Sequence, residues 1–203
     1  MFAIAAIVAL DLVAQLAAPQ PPAAADSGWQ TLKTVDGITL ERAPSDRAAP
    51  WGRGDAEIAA PLDRVVAHLT DFASVGKWMP RIADVRVIER RDDEAIVYFK
   101  LDLPWPLSDR DWTLRYRWRR EGDRFLMTWS DANDRGPEPG RAVRVATVRG
   151  YWELTAASSG TTRARYVFLA ELGGSLPRSV AAETAWKQPL ETLRGVRLAT
   201  TSR

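Results

Sequence analysis

The chain contains no cysteine and only one histidine, His68. Disulfides, thiolate metal sites and cysteine nucleophiles are therefore excluded, as is any metal site built from several histidines. The sequence also lacks a glycine-rich phosphate loop and a serine nucleophile elbow. His68 falls beside the apolar face of its predicted helix, where a solvated or edge position is expected. These absences predict no catalytic residue, no metal and no cofactor, although they do not exclude a metal site made of carboxylates.

A concentrated basic face is missing as well. The 28 Lys and Arg residues are interspersed among 26 Asp and Glu residues, which leaves a formal net charge of +2. Because nucleic acids are bound by clustered positive charge, a nucleic-acid partner is not predicted. Attraction to an anionic membrane surface stays open but is weak. We expect a monomer whose partner is a small molecule.

No apolar run is long enough to span a bilayer, which needs about 20 residues. The run over 2–10 is followed by Asp11, and Ala23-Ala24-Ala25 further on resembles a secretory cleavage site. The pattern predicts a signal peptide over 1–25, a single domain over 26–203, and a periplasmic or secreted protein. No Lys or Arg precedes the run and Asp11 interrupts it, so an uncleaved membrane anchor or a misassigned start is the alternative.

Tryptophan is the abundant residue, with nine copies against four tyrosines and five phenylalanines. Its large, rigid ring suits cavity walls and interfaces, although a tryptophan-rich core is the plain alternative. Trp105 lies between Pro104 and Pro106, in a stiff corner that cannot continue a strand. This corner predicts a rim or lid. After it, Asp109 and Asp111 flank an arginine, which favours ion pairing over a catalytic acid–base pair.

The remaining pattern is that of an antiparallel sheet with a long last helix. Asp36-Gly37 predicts a hairpin between strands over 29–35 and 38–42, and Pro61 opens a first helix. Further strands are predicted over 54–59, 83–90, 95–103, 110–120, 124–131, 141–155 and 161–171, with a second short helix over 73–79. Consecutive strands can pair as a meander. The sequence therefore predicts an α+β fold, a curved antiparallel sheet wrapped around a long C-terminal helix.

Alternation along the strands predicts which side chains face inward. Large apolar side chains share one face of each strand, opposite charged ones, and Arg110 and Arg144 fall on these apolar faces by parity. A buried guanidinium needs a partner or water, which favours a hollow over a packed core. The predicted inward residues are Val97, Phe99, Leu101, Leu103, Trp112, Leu114, Tyr116, Trp118, Phe125, Met127, Trp129, Ala142, Ala146, Val148, Gly150, Trp152 and Leu154.

Several short motifs, in order along the chain, are similar to those of START domains (steroidogenic-acute-regulatory-related lipid transfer). They are Trp78-Met79-Pro80, Ser108-Asp109-Arg110-Asp111-Trp112, Gly150-Tyr151-Trp152-Glu153-Leu154 and Pro189-Leu190-Glu191-Thr192-Leu193-Arg194. The resemblance covers about 29–198. It implies a helix-grip fold with one lipid-sized tunnel, gated by a loop over 104–108 and the last helix. It also implies a carrier of one lipid or sterol that touches membranes transiently and performs no chemistry.

One departure from the family concerns the polar anchor of the ligand. Relatives place an acidic residue and an arginine where this chain has Phe99 and Tyr116. Arg110, Arg144 or the Tyr116 hydroxyl is then expected to contact the polar end of the ligand. The predicted ligand-binding residues are Trp78, Phe99, Leu101, Trp105, Arg110, Trp112, Tyr116, Met127, Trp129, Arg144, Trp152 and Trp186.

Two other functions stay open. The helix-grip superfamily also includes polyketide cyclases and aromatases, in which Tyr116, Arg110 and Arg144 would contact an enolate. The third possibility is an interaction module whose tunnel is filled by side chains. An interior volume below about 300 Å³, small for a ligand pocket, would favour that reading.

Overall fold

A computed structural model describes residues 28–157, 160–174 and 178–201 of the chain, without the side chains of 178–182. The predicted signal peptide lies outside these residues, so export stays a prediction. Within the same ranges, none of the helices combines the length and apolar composition needed to cross a bilayer.

The described residues form ten strands and three α-helices. The strands are β1 (Gln30–Val35), β2 (Ile38–Ala43), β3 (Trp51–Ile58), β4 (Ile82–Arg90), β5 (Glu94–Leu101), β6 (Arg110–Glu121), β7 (Arg124–Asp131), β8 (Val143–Arg144), β9 (Thr147–Ala156) and β10 (Thr162–Glu171). The helices are α1 (Leu62–Thr70), α2 (Val75–Trp78) and α3 (Arg178–Thr201), with 3₁₀ turns at Phe72–Ser74 and Asn133–Arg135.

All ten strands belong to one curved sheet that does not close; nine of them follow the order β1-β2-β3-β10-β9-β7-β6-β5-β4, and β8 lies off this path beside β6. Consecutive strands pair antiparallel, as the meander predicts, with two exceptions: β3 pairs with β10 and not with β4, and β8 leaves the meander. This two-residue strand pairs parallel with β6, so β7 pairs with β9 instead. The predicted α+β helix-grip architecture is confirmed, with α3 on the concave face.

Helix α3 docks against β3 because β3 carries glycines at the contact. A Cβ atom at Gly52 would lie 2.7 Å from the backbone carbonyl carbon of Ala185 and closer still to its oxygen. The helix backbone can therefore approach this strand only where no side chain intervenes. Near its C-terminus, the Arg194 Nε donates to Asp36 at 2.9 Å and the Arg197 Nε to the Glu57 carbonyl at 3.0 Å. The C-terminal half of α3 is thus tied to the β1–β2 hairpin and β3.

The sequence predicts which side chains face inward along 95–103, 110–120 and 124–131. These orientations are confirmed for the residues that lie in β5, β6 and β7. Val97, Leu114, Phe125 and Met127 lie in the main core, with Trp118 packed against it. A smaller apolar cluster lies on the other face of the sheet, where Trp51 is fully buried. The sheet therefore has one large concave core, which α1, α2 and α3 cover.

The single strand predicted over 141–155 is wrong. The structure breaks it between β8 and β9, so the alternation that predicts an inward Arg144 does not continue through Val145. Val145 and Val148 both enter the core, whereas Ala146 is exposed. Arg144 lies instead on the outer face, beside Asp111. The inward faces of Gly150, Trp152 and Leu154, beyond the break, are as predicted.

Candidate functional site

An inner cavity of about 70 Å³ lies between the concave face of the sheet, the α1–α2 segment and α3. Its walls are apolar except at four positions, which are two tyrosines, a glutamine and a threonine. The lining residues are Leu69, Phe72, Val75, Trp78, Met79, Phe99, Trp112, Leu114, Tyr116, Met127, Trp129, Val148, Trp152, Tyr166, Phe168, Gln188 and Thr192. A ligand here would be held mainly by burial of apolar surface.

A larger space, the outer cleft, adjoins the inner cavity and measures about 350 Å³. It lies between residues 79–82, the ends of β5 and β10, and the N-terminal half of α3. Five residues line both spaces: Met79, Trp112, Val148, Phe168 and Gln188. The two spaces therefore adjoin across these five side chains, between the protein surface and the core, and together they are called the path.

A polar cluster of Tyr166, Gln188 and Thr192 lies in the wall of the inner cavity. The side chains of Gln188 and Thr192 hydrogen-bond to the Tyr166 hydroxyl, and the Gln188 Nε2 donates to the Thr192 Oγ1 at 3.2 Å. Burial nevertheless raises the pKa of Tyr166 far above its usual value. Buried polar groups are costly unless paired, so this network places neutral donors and acceptors where one polar group of a ligand could join it.

Tyr116 stands beside this cluster and adds a second phenol. Its ring packs on Phe72, with centroids 4.6 Å apart, and on Trp129 at 5.8 Å. Burial strongly raises the pKa of Tyr116, and the neighbouring Tyr166 raises it further. The phenol therefore stays protonated and can donate a hydrogen bond, but it is a poor general base.

The structure brings eight of the twelve predicted ligand-binding residues to this path. Leu101 lines the outer cleft, Trp112 lines both spaces, and the other six line the inner cavity: Trp78, Phe99, Tyr116, Met127, Trp129 and Trp152. Their position follows from the strand alternation and from the resemblance. Contact with a ligand stays a prediction for each of them.

Arg110 is buried, as its parity predicts, but it does not line the path. Its Nε donates to the Leu172 carbonyl at 2.7 Å and its Nη2 to the Gly173 carbonyl at 3.1 Å, while Nη1 donates to Ser108. One guanidinium thus joins the loop over 104–108 to the connection that leads into α3. Because backbone oxygens accept hydrogen bonds from all three nitrogens of the Arg110 guanidinium, the role of this side chain is structural.

Arg144 is also away from the path, on the outer face of the sheet. Its Nε lies 2.8 Å from Asp111 Oδ1 and its Nη2 lies 3.2 Å from Oδ2, while Tyr98 donates to the same carboxylate at 3.3 Å. The Asp111 hydrogen bond raises the pKa of Arg144. This buried ion pair holds the segment that crosses from β7 to β9, so neither predicted arginine faces the cavity.

Two predicted tryptophans lie elsewhere. The side chain of Trp105 is 92% exposed, at the tip of the loop. Trp186 packs on the edge of the core, and its ring lies 3.2 Å below the ammonium of Lys33. Trp105 therefore does not line the path, whereas Trp186 fastens α3 to β1.

His68 is half-buried at the edge of the core, as expected, and it does not line the inner cavity. Its ring packs at a tilt of 49° against Trp78, with centroids 4.9 Å apart, and its Nε2 has no hydrogen-bond partner among the described residues. Burial lowers the pKa of His68, an effect that Asp71 partly offsets. No group of three or more His, Asp or Glu residues in the described ranges could hold a metal ion.

The polar cluster is the part of the site that sequence reasoning missed. Alternation along β10 places Tyr166 on the same face as Ala164 and Phe168, so parity could have found it. Gln188 and Thr192 are four residues apart and so lie on one face of a helix. A search for apolar positions along the helix does not find Gln188 and Thr192, because both side chains are polar.

Comparisons with known proteins agree with this architecture. A family model described as "Polyketide cyclase / dehydrase and lipid transport" matches residues 53–193, well over half of the chain. An uncharacterized protein of Pseudomonas aeruginosa is 28% identical over 178 residues, covering 86% of this chain and 88% of that protein.

Two solved structures bear on the fold. The STAR-related lipid transfer protein from Xanthomonas axonopodis, solved as a fragment, is 26% identical with a TM-score of 0.80, covering 87% of this chain and 100% of that one. The Zhui aromatase/cyclase from Streptomyces is 17% identical with a TM-score of 0.56, covering 74% of this chain and 92% of that one. The second likeness shows the fold alone.

Proposed function

Because the chain belongs to the family of polyketide cyclases, dehydrases and lipid-transport proteins, we propose that it binds one hydrophobic molecule and transfers it between membranes. The ligand is a lipid, a fatty acyl chain or a sterol-like compound. The observation that carries the proposal is the pair of adjoining spaces, the outer cleft and the largely apolar inner cavity, which lie between the sheet and α3.

Apolar burial supplies the driving force. Apart from the polar cluster and Tyr116, every residue lining the inner cavity is apolar. Each CH₂ group of a ligand moved out of water contributes about 0.8 kcal/mol, so a long acyl chain needs no covalent attachment. The polar cluster and Tyr116 would hydrogen-bond to one neutral group, such as a hydroxyl or a carbonyl, at the buried end.

The volumes bear on the alternative of an interior filled by side chains. The inner cavity, at about 70 Å³, is small, whereas the outer cleft, at about 350 Å³, reaches the size of ligand pockets. Met79 and Met127 border the inner cavity, and unbranched methionine side chains adapt easily to new contacts. We propose that a chain entering from the outer cleft displaces such side chains and widens the inner cavity.

Replacing Tyr116 with phenylalanine is expected to weaken binding of a fatty alcohol about fivefold, because one buried hydrogen bond is worth about 1 kcal/mol. A hydrocarbon probe without the hydroxyl should bind both proteins equally. Fluorescence titration with the two probes checks this. The matched control is Tyr98→Phe, since the Tyr98 hydroxyl faces Asp111 on the outer face.

The same variant separates carriage from catalysis. The family description and the fold shared with an aromatase/cyclase favour an enzyme acting on polyketide-like substrates as the second candidate. In such an enzyme, the protonated Tyr116 would donate to an enolate, and Tyr116→Phe would abolish turnover while substrate binding persists. Under the carrier proposal, polyketide-like compounds incubated with the protein are recovered chemically unchanged.

The loop over 104–108 is the proposed membrane contact. Its turn is closed by the Leu107 N–H donating to the Pro104 carbonyl at 3.0 Å, and Lys100 lies 3.0 Å from Asp109 at its base. Trp105 projects from the tip. Indole rings favour the boundary between water and lipid, so a loop fixed at its base and apolar at its tip suits brief membrane contact.

Trp105→Ala should reduce vesicle association and transfer rate about tenfold, because burial of a large side chain is worth about 1.5–3 kcal/mol. Ligand affinity in solution and thermal stability should stay unchanged, since the side chain contacts solvent. Liposome co-sedimentation and a vesicle-to-vesicle transfer assay measure the effect. Leu198→Ala, at a residue 71% exposed in the last turns of α3, is the control; equal losses in both variants would contradict the loop's role.

A further inference from the structure

Strand β4 forms one edge of the sheet, and its free side is exposed. On its other side it pairs antiparallel with β5. Among the described residues, no backbone hydrogen bond outside the β-ladders and helices involves residues 82–90. Val87 and Ile88, near the middle of this edge, are 43% and 39% exposed. An exposed edge strand with apolar side chains is a template for pairing with another strand.

The opposite edge of the sheet, β1, is a poorer template. Leu32 is its exposed large apolar residue, and it lies between polar neighbours. Lys33, the next residue along the strand, places its ammonium on the Trp186 ring. Lysine on an edge strand discourages pairing. Strand β4 is therefore the edge on which a docked strand gains apolar contacts.

A bulge in β4 decides which side chains of this edge share a face. Ile88 is an extra residue, because its two neighbours pair with consecutive residues of β5. The bulge shifts the alternation by one position, so Arg86 and Glu89 both lie on the outer face. Their partners on β5 are Tyr98 and Ile96, which alternate with core residues of that strand. One cation and one anion thus flank the exposed apolar pair on the same face.

We propose that this edge binds β4 of a second copy of the chain, antiparallel across a two-fold axis. Val87 then lies opposite Ile88 of the partner subunit, and Arg86 lies opposite Glu89 of the partner subunit. The axis repeats both contacts, as in any isologous dimer. Since both strands carry the bulge at the axis, two residues face two residues and the bulge causes no mismatch. The dimer goes beyond the proposed function and needs no ligand, and it departs from the monomer expected from the sequence.

Charge selects this register among its neighbours. The outer faces stay aligned when one strand slides by two residues. Sliding one way places Asp84 opposite Glu89 of the partner subunit, and sliding the other way places Arg86 opposite Arg91 of the partner subunit. Like charges directly opposite each other destabilise a strand pair. In the proposed register Asp84 faces Arg91 of the partner subunit instead, so the two β4 strands are complementary in charge as well as in apolar contact.

The ion pairs within one chain are compatible with this docking. The Arg86 Nε donates to Asp84 Oδ2 at 2.8 Å, and Glu89 accepts a hydrogen bond from Arg135. A carboxylate has several lone pairs, so Glu89 can accept from Arg135 and from Arg86 of the partner subunit together. These four side chains are partly or largely exposed, which leaves them free to reorient when a strand docks.

Sedimentation velocity of the protein at rising concentration measures this association. An interface of one strand pair is smaller than the standard size, so we expect a weak dimer that builds up between about 10 and 500 µM. Arg86→Glu and Glu89→Arg should each weaken association about tenfold, because each change places like charges opposite each other at both symmetric contacts. Arg163→Glu, at an exposed arginine on the outer face of β10, should associate as the natural protein does.

An equimolar mixture of the Arg86→Glu and Glu89→Arg proteins tests the register itself. Each single variant repels its own copy. In the mixed dimer both contacts again join opposite charges, so the mixture should dimerise as the natural protein does. A mixture that associates no more than its two components would overturn the proposal.

A natural protein that stays monomeric at about 500 µM would also overturn the dimer, as would an Arg86→Glu protein that dimerises normally. Thermal unfolding checks that each variant is folded. If a charge variant does not fold, Val87→Lys, at an exposed side chain, should lose association while staying folded, and normal association of that variant would contradict the proposal. None of these residues lines the path, so ligand binding should be unchanged, and failure of the dimer leaves the proposed function intact.

Discussion

Replacing Asp111 with alanine is expected to lower the free energy of unfolding by about 3 kcal/mol, because it leaves the Arg144 guanidinium without its carboxylate. Asp111 is fully buried and accepts hydrogen bonds from Arg144 at 2.8 and 3.2 Å and from Tyr98 at 3.3 Å. Arg144 also donates to the Pro137 carbonyl at 2.5 Å. The variant should therefore loosen the crossover between β7 and β9 as well as the ion pair.

Asp109 offers a matched control two residues away. Its carboxylate is solvent-exposed and lies 3.0 Å from the ammonium of Lys100, an interaction that lowers the pKa of Asp109. Exposed ion pairs contribute little to stability, so Asp109→Ala should unfold close to the natural protein in urea. If Asp111→Ala does not fold, Asp111→Asn, which keeps some of the hydrogen bonds, should show an intermediate loss. Equal urea midpoints for the Asp109 and Asp111 variants would contradict the buried ion pair.

Gly52→Ala is expected to destabilise the protein by about 3 kcal/mol and to weaken ligand binding at the same time. The new Cβ atom would lie 2.7 Å from the backbone carbonyl carbon of Ala185. A side chain could relieve this clash by changing its rotamer, but backbone atoms cannot, so α3 must move away from β3. Overpacking of this kind costs about 1–3 kcal/mol or more. Because α3 carries Gln188 and Thr192, its displacement also disturbs the polar cluster.

Gly76→Ala gives the opposite expectation. Gly76 lies in α2, and its Cβ atom would be at an ordinary 3.6 Å from the Ile82 carbonyl oxygen. Replacing a helical glycine with alanine stabilises by about 0.5–1 kcal/mol. Urea unfolding and hydrogen exchange of the α3 amides measure both variants. If the two variants had the same free energy of unfolding, close packing of the α3 backbone on Gly52 of β3 would be contradicted.

The concave face could be predicted from the sequence because period-two alternation holds along unbroken strands. Phe99, Tyr116, Trp129 and Trp152 all lie where alternation predicts them. Arg144 does not, because β8 pairs parallel with β6 and ends the alternation before β9 begins. No local sequence signal reports that change of partner, since the partner is more than 30 residues away.

The hydrogen-bond partners of a polar side chain are harder to predict than the face of the strand on which it lies. Arg110 points inward as expected, but its acceptors are carbonyl oxygens at Leu172 and Gly173, which only the folded chain brings close. The cavity instead receives its polar groups from Tyr166, Gln188 and Thr192, on β10 and α3. Their meeting depends on how α3 crosses the sheet, and helical periodicity alone does not specify that crossing.

The central claim is that one hydrophobic molecule occupies the path under α3. Native mass spectrometry of the protein purified from the cells in which it is naturally made tests the claim most directly. We expect a mass excess that corresponds to one lipid-like molecule per chain and is released on denaturation. Protein found only at its bare mass, which also takes up no member of a panel of fatty acids, sterols and phospholipids, would contradict the claim.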